Sequence, residues 1–203
     1  MGEAKTNPTR ETGQETTAAR RRHEHARTVQ VEIVQCRAKG AGKASGLDVM
    51  TLAGRKKATL RRGAFEKIYR ASAIDKIEII KCGVAPGTIG DIADAMGAAT
   101  ATLIRNLGIP KSTLARKKSK QAPLERDASE KVLGLATLIG QVVTLVREQG
   151  EPKGFDAARW FHAWIEEPVP ALGGRKPAEL LDTKEGQQIV SGLIDAIRAG
   201  VYL

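Results

Sequence analysis

Aromatic side chains are scarce in this chain of 203 residues: three Phe, two Tyr and two Trp, 3% of the total. That shortage argues against a sandwich core rich in aromatics, and abundant Ala and Gly point instead to closely packed helices. Cysteine is nearly missing. Cys36 and Cys82 have no CxxC spacing and do not cluster with His23, His25 or His162. This excludes a disulfide framework and a zinc ribbon, and reads as two ordinary thiols. No uninterrupted apolar run of about 18 residues occurs, so no membrane-spanning segment is expected. The opening "MGEAKTNPTRETGQ" lacks the apolar core of a secretory signal, and Asn7 stands where a myristoylation motif takes Ser or Thr. A cytoplasmic location is the expectation. Also missing are a P-loop, a G-x-S-x-G elbow, a Cys/His couple and any metal-ligand spacing. No catalytic residue, metal or cofactor is therefore expected, and an enzyme is disfavoured.

Charge of one sign is short in a revealing place. The net charge is +10, but it is unevenly spread. Residues 1–60 carry 12 basic and 6 acidic side chains, residues 61–120 carry 12 and 5, and residues 121–203 carry 9 and 12. A basic two thirds joined to a mildly acidic last third suggests a nucleic-acid-facing part coupled to a part with a different partner.

Residues 1–62 form a polar, basic extension containing "RRRHEH" and the Gly- and Lys-rich "RAKGAGKASGLD". A short alternating stretch, "TVQVEIV" (28–34), is its one strand-like piece. The extension is read as disordered, because most of it has too few apolar side chains to bury. Met50 stands as an alternative start. From Ala64 the pattern becomes helical throughout, and the fold class expected is all-α. "FEKIYRASAIDKIEIIKCG" places apolar residues at 65, 68, 69, 74, 77 and 80, as a single amphipathic helix would, closed by Gly83 and Pro86. "TIGDIADAMG", "TATLIRNLG" and "PKSTLARKKSK" complete four short helices. The longest periodic segment is 122–148, with Val132, Leu135, Ile139, Val142 and Val146 on one stripe and a capping box expected from Asp127 and Glu130. A second such cap, Asp182 with Glu185, precedes the last helix. The domain division that follows is 1–62, 63–121, a connecting helix and linker over 122–154, and 155–203.

"TATLIRNLGIPKSTLARKKSK" has the parts of a helix-turn-helix: a short helix, a turn at Gly108, and a second helix with Pro110 at its first position. Lys111, Ser112, Thr113, Arg116 and Lys117 are the candidate DNA contacts. Hydroxyls near the helix start suit phosphate or base edges, and the cations suit phosphates. A solvated basic face would show the same run of charge. Trp160 and Trp164, one turn apart, read as core.

The chain finishes "AIRAGVYL". Gly200 can stop a helix in the left-handed conformation, and Val201, Tyr202 and Leu203 follow without a charged side chain. Such an ending either covers its own helices or waits for a partner.

Taken together, "GVAPGTIGDIADAMGAATATLIRNLGIPKSTLARKKS" and "WIEEPVPALGGRKPAELLDTKEGQQIVSGLIDAIRAGVYL" resemble the Xre/MbcA/ParS antitoxins: an Xre-like helix-turn-helix followed by a toxin-binding domain. The resemblance covers about residues 64–203, with "LGGRKP", "LLDT", "EG" and "GVYL" in order. It implies a type II antitoxin that represses its own operon through operator DNA, often as a homodimer and in complex with toxin. The implied partner is an NAD-consuming or ADP-ribosylating toxin of RES or ParT type. Arg175, Arg198, Gly200, Val201, Tyr202 and Leu203 become the candidate toxin contacts, the tail entering the toxin's NAD pocket. Residue patterns alone leave open a stand-alone helix-turn-helix regulator, or a toxin binder whose helix-turn-helix only dimerises.

Overall fold

The computed structural model describes residues 62–150 and 154–200. The strand-like stretch 28–34, Cys36, Met50 and the tail 201–203 lie outside the described residues. Among the described residues eight α-helices follow one another: α1 (Arg62–Arg70), α2 (Ala73–Cys82), α3 (Gly87–Met96), α4 (Thr100–Asn106), α5 (Lys111–Ser119), α6 (Arg126–Glu148), α7 (Ala157–Ile165) and α8 (Lys184–Arg198). Two 3-10 turns, Pro170–Leu172 and Pro177–Leu180, lie between α7 and α8. Among the described residues there is no strand, and only an isolated bridge joins Val169 to Arg175. The fold is all-α, as expected.

The expected single helix over 65–83 is two. Ser72 breaks it by taking an extended backbone and accepting a hydrogen bond from the Asp75 amide at 3.1 Å, which starts α2 afresh. The break rotates α2 away from the stripe that α1 continues. Phe65 and Ile68 are buried, whereas Ile74 is 68% and Ile77 44% exposed. Ser competes for helix ends in this way because its hydroxyl replaces a missing backbone acceptor. Lys76 donates from Nζ to the Tyr69 carbonyl at 2.9 Å, and partial burial holds its ammonium below the usual lysine range. Cys82, at the end of α2, is disulfide-bonded rather than the independent thiol expected, a pairing that spacing along the chain does not reveal.

Helix α6 is the spine. It packs against α1, α2, α3, α7 and α8, and Leu135, Ile139 and Val142 are fully enclosed. Full burial of each contributes on the order of 1.5–3 kcal/mol. By length and mean hydropathy alone α6 is apolar enough to cross a membrane, but Glu130 and Lys131 interrupt it and two thirds of its most apolar window is buried inside the protein. This is how a core helix packs, and its apolar character serves five neighbouring helices.

Glycine sets two of these approaches. A Cβ on Gly140 would lie 2.1 Å from the Phe65 carbonyl oxygen, so α1 crosses α6 backbone to backbone. A Cβ on Gly134 would meet Gln187 Oε1 at 1.7 Å. Buried glutamines then tie α8 to the spine. Gln187 donates to the Lys131 and Leu181 carbonyls at 3.0 and 2.9 Å. Gln141 donates to the Ser191 carbonyl and to Asp195 and accepts from the Ser191 hydroxyl. Buried amides of this kind are tolerated because their partners are satisfied.

Both expected capping boxes are misplaced. The residue before α6 is Glu125, with no side-chain cap, and Asp127 instead pairs with Lys131 at 2.9 Å. The cap of α8 is Thr183, whose hydroxyl accepts from the Gly186 amide at 3.0 Å. In each case the helix starts where tertiary packing allows, one or two residues from the acidic pair.

Candidate functional sites

The basic site is built on the joint between α4 and α5. Gly108 has φ 61°, the left-handed conformation that reverses the chain after α4. Leu107, Ile109 and Leu114 are buried, so the turn and the inner side of α5 are clamped to the core. Pro110 is the residue before α5, with an extended ψ of 130°, and Lys111 is the first helical position. This corrects the expected placement of Pro110 by one residue. No side chain caps that end, leaving its amides open to an anion.

Lys111, Ser112, Ala115, Arg116 and Ser119 are exposed and recur at the spacing of one helix face. Small side chains thus alternate with cations on a surface that faces outward. Thr113 is half-buried beside Leu114. Lys117 departs from the group: its side chain is 16% exposed and forms an ion pair with Glu125. The hydrogen bond from Lys117, reinforced by its charge, holds the Glu125 carboxyl below the usual carboxylate range, with a smaller contribution from Arg116. Arg105, exposed at the end of α4 just before the turn, was not among the sequence candidates. Only the geometry of the joint brings it forward, because its neighbours in sequence are uncharged.

The second site is the module after α7. Phe155, Trp160 and Trp164 form a ladder, the two indoles stacked at 5.9 Å and 4°. Both tryptophans pack partly buried against the core, as read from their spacing. Beyond them, Gly173 and Gly174 take φ of 65° and 80°, and the Gly174 amide donates to the Val169 carbonyl at 3.1 Å. The resulting tight turn exposes Arg175, which has no ion pair among the described residues. Lys176 reaches Glu166 at 3.6 Å, and Asn106 on α4 donates to the same carboxylate at 3.3 Å, joining the two modules.

At the far end, α8 runs into Gly200, whose φ is 74°. Arg198 pairs with Glu148 of α6 at 3.1 Å, both side chains about half exposed. Of the six expected contacts in this module, Arg175, Arg198 and Gly200 are therefore located, while Val201, Tyr202 and Leu203 lie outside the described residues.

A helix-turn-helix with an outward basic helix is packed through a common spine against a small helical module with a different charge balance, the two-part build of a helix-turn-helix protein that carries a second helical domain. Residues 75–136 match the Antitoxin Xre-like helix-turn-helix domain, and residues 155–200 match the Antitoxin Xre/MbcA/ParS C-terminal toxin-binding domain. The chain is similar to the Prs ADP-ribosylating antitoxin of Sphingobium sp. (strain YBL2), 40% identical over 139 residues that span 68% of this chain and 87% of the relative. It is also similar to Antitoxin Xre of Yersinia enterocolitica serotype O:8 / biotype 1B, 27% identical over 126 residues, 62% of this chain and 80% of that one. The chain belongs to the Xre/MbcA/ParS antitoxin family, and its role is that of an antitoxin in a toxin–antitoxin system. Its C-terminal module is accordingly a toxin-binding domain.

Proposed function

We propose that this antitoxin blocks a co-encoded, ADP-ribosylating or NAD-consuming toxin of RES or ParT type by lodging Val201, Tyr202 and Leu203 in the toxin's NAD pocket. In the same reading it acts in the cytoplasm and represses its own operon by presenting α5 to operator DNA. It works by occupancy and needs no cofactor. The observation that carries the toxin reading is the ending of α8: Gly200 turns the chain out of the helix with φ 74°, directly ahead of three residues without a charged side chain. A pocket for a dinucleotide offers an apolar floor for a ring and cations for a pyrophosphate. Tyr202 suits the first, with Val201 and Leu203 as apolar neighbours. Burial of the three side chains would supply on the order of 5 kcal/mol before the costs of association. Arg198 can exchange its exposed pair with Glu148 for a carboxylate on the toxin at little cost, since such pairs contribute about 0–1 kcal/mol. Arg175, exposed on its turn, is a second contact of this kind.

For the DNA arm, Lys111, Ser112, Thr113 and Arg116 on the uncapped start and outer face of α5 are the contacts, as half of a homodimer on operator DNA. Lys117 joins them only by giving up Glu125. The test is co-expression with the product of the neighbouring toxin gene, with and without residues 201–203. Loss of growth rescue and return of NAD+ consumption on truncation, with operator binding intact, is the expected result; full protection by the truncated chain refutes the reading. A neighbouring gene unrelated to any toxin would favour a stand-alone regulator instead.

A further inference from the structure

We infer that the exposed apolar side of α2, formed by Ile74 and Ile77, is the docking surface for residues 28–34 of the same chain, "TVQVEIV", and that a Cys36–Cys82 disulfide holds that segment in place. The occupant is a named piece of this chain outside the described residues, and the inference stands independently of the toxin reading.

Two separate observations meet on α2. The first is exposure. Ile79 is buried against the spine, whereas Ile74 and Ile77, one turn apart, stand exposed on the other side of the helix. Beside them Lys81 pairs with Glu78 at 3.0 Å. A helix surface turned to water would ordinarily be polar along this whole side. The second observation is covalent. Cys82, the last residue of α2, is disulfide-bonded. The chain contains two cysteines, so its partner within one chain is Cys36. Cys36 closely follows the alternating stretch 28–34, in which Val29, Val31 and Ile33 fall on one face of an extended segment. The bond therefore brings an apolar strand face to the helix that carries an unpartnered apolar side.

The two elements also match in reach. A disulfide keeps its two Cα atoms within about 7 Å of each other. Ile77 and Ile74 lie five and eight residues before Cys82, which along a helix is about 7.5 and 12 Å. Ile33 and Val31 lie three and five residues before Cys36, which along a strand is about 10 and 17 Å. A segment lying parallel to α2 from the shared bond thus sets Ile33 near Ile77 and Val31 near Ile74. Gln30 and Glu32 then face water, as in any half-buried strand. Closure by exchange with glutathione disulfide balances simply. The two thiols give up their protons, one S–S bond forms between Cys36 and Cys82, and two molecules of reduced glutathione leave. Apolar docking raises the effective concentration of one thiol at the other and so favours closure. A reducing compartment opens the bond and loosens the segment, which makes the contact conditional on redox state.

The test equilibrates the full chain in glutathione buffers of graded redox ratio, traps free thiols in acid and maps the cross-linked peptides by mass. The expected product is a Cys36–Cys82 peptide from monomeric protein. Ile74→Asp, Ile77→Asp, Val31→Asp and Ile33→Asp should each lower the effective concentration of the thiol pair by about fivefold or more, while Gln30→Ser and Glu32→Gln keep it within about twofold. The α2 variants should retain the wild-type far-ultraviolet helical signal, because Ile74 and Ile77 are exposed. Effective concentrations within about twofold of wild type for all four Asp variants would make the disulfide a bare tether and overturn the docking. A covalent dimer on non-reducing electrophoresis, with Cys82 joined to Cys36 of a second molecule, would assign the face to another copy of the chain and overturn it as well. Cys82 left as a free thiol in the most oxidising buffer would do the same.

Discussion

Two glycines on α-helices put the packing argument to a direct trial, because the same change, Gly to Ala, should act in opposite directions. At Gly140 the added methyl would stand 2.1 Å from the Phe65 carbonyl oxygen and 2.8 Å from Tyr69 Cβ. Real contacts of this type essentially never fall below 3.0 Å, so α1 must move away from α6 by roughly 1 Å. Overpacking of this kind costs about 1–3 kcal/mol, and partial exposure of Phe65 and Ile68 adds to it. A loss of roughly 2–4 kcal/mol, or about 5–15 °C in thermal midpoint, is expected for a chain of this size. At Gly192 the methyl meets nothing within 4 Å among the described residues, and only helix propensity changes. There Gly→Ala should stabilise by about 0.5–1 kcal/mol, a gain of a few degrees. Thermal and denaturant melts of the two variants, followed by far-ultraviolet circular dichroism, make the comparison. A Gly140→Ala variant as stable as wild type would mean that α1 does not cross α6 at this point, and the account of the spine would fail with it.

Other outcomes follow from the basic site and the helix ends. Glu125→Gln should release Lys117 toward DNA and remove a negative charge beside α5. Operator affinity should then rise, and its dependence on the logarithm of salt should steepen by up to about 0.9 for one added phosphate contact. An unchanged slope in mobility-shift titrations would show that Lys117 stays off the DNA. The same pair has a pH signature. A carboxyl whose folded pKa is lowered contributes stability above its ordinary range and loses it as pH falls through the lowered value. The difference in stability between wild type and Glu125→Gln should therefore shrink as pH falls from neutral into acid, below the usual carboxylate range, and a difference that persists in strong acid would contradict the pairing. Thr183→Ala should cost about 1 kcal/mol, because the Gly186 amide loses its acceptor. Differential scanning calorimetry should show a midpoint lower by about 2–4 °C, whereas an unchanged midpoint would deny the cap.

The residues that sequence reading handled well are those whose role depends on near neighbours. The stripe of Leu135, Ile139 and Val142 announced a buried helix face, and all three are enclosed. Gly108 and Gly200 announced a turn and a helix stop, and each takes a positive φ. Order and spacing of "LGGRKP", "LLDT" and "EG" carried the family. Errors came where two local signals compete. Ser72 could be an ordinary helix residue or a new helix start, and only the different packing of α1 and α2 on the spine decides for the start. Asp127–Glu130 and Asp182–Glu185 have capping-box spacing, yet Glu125 and Thr183 precede the helices because Leu124 and Leu181 must first reach the core.

Helical class, the two basic and mildly acidic portions, the turn before α5 and the antitoxin family were all determined by the linear order of residues, because periodicity, charge and backbone freedom are local properties. Tertiary structure alone decided that Lys117 is engaged by Glu125, that Arg198 rests on Glu148, and that Gly140 is a crossing point while Gly192 faces open space. Those outcomes depend on which distant surfaces come within a few ångströms of one another, and spacing along a chain carries no record of that distance.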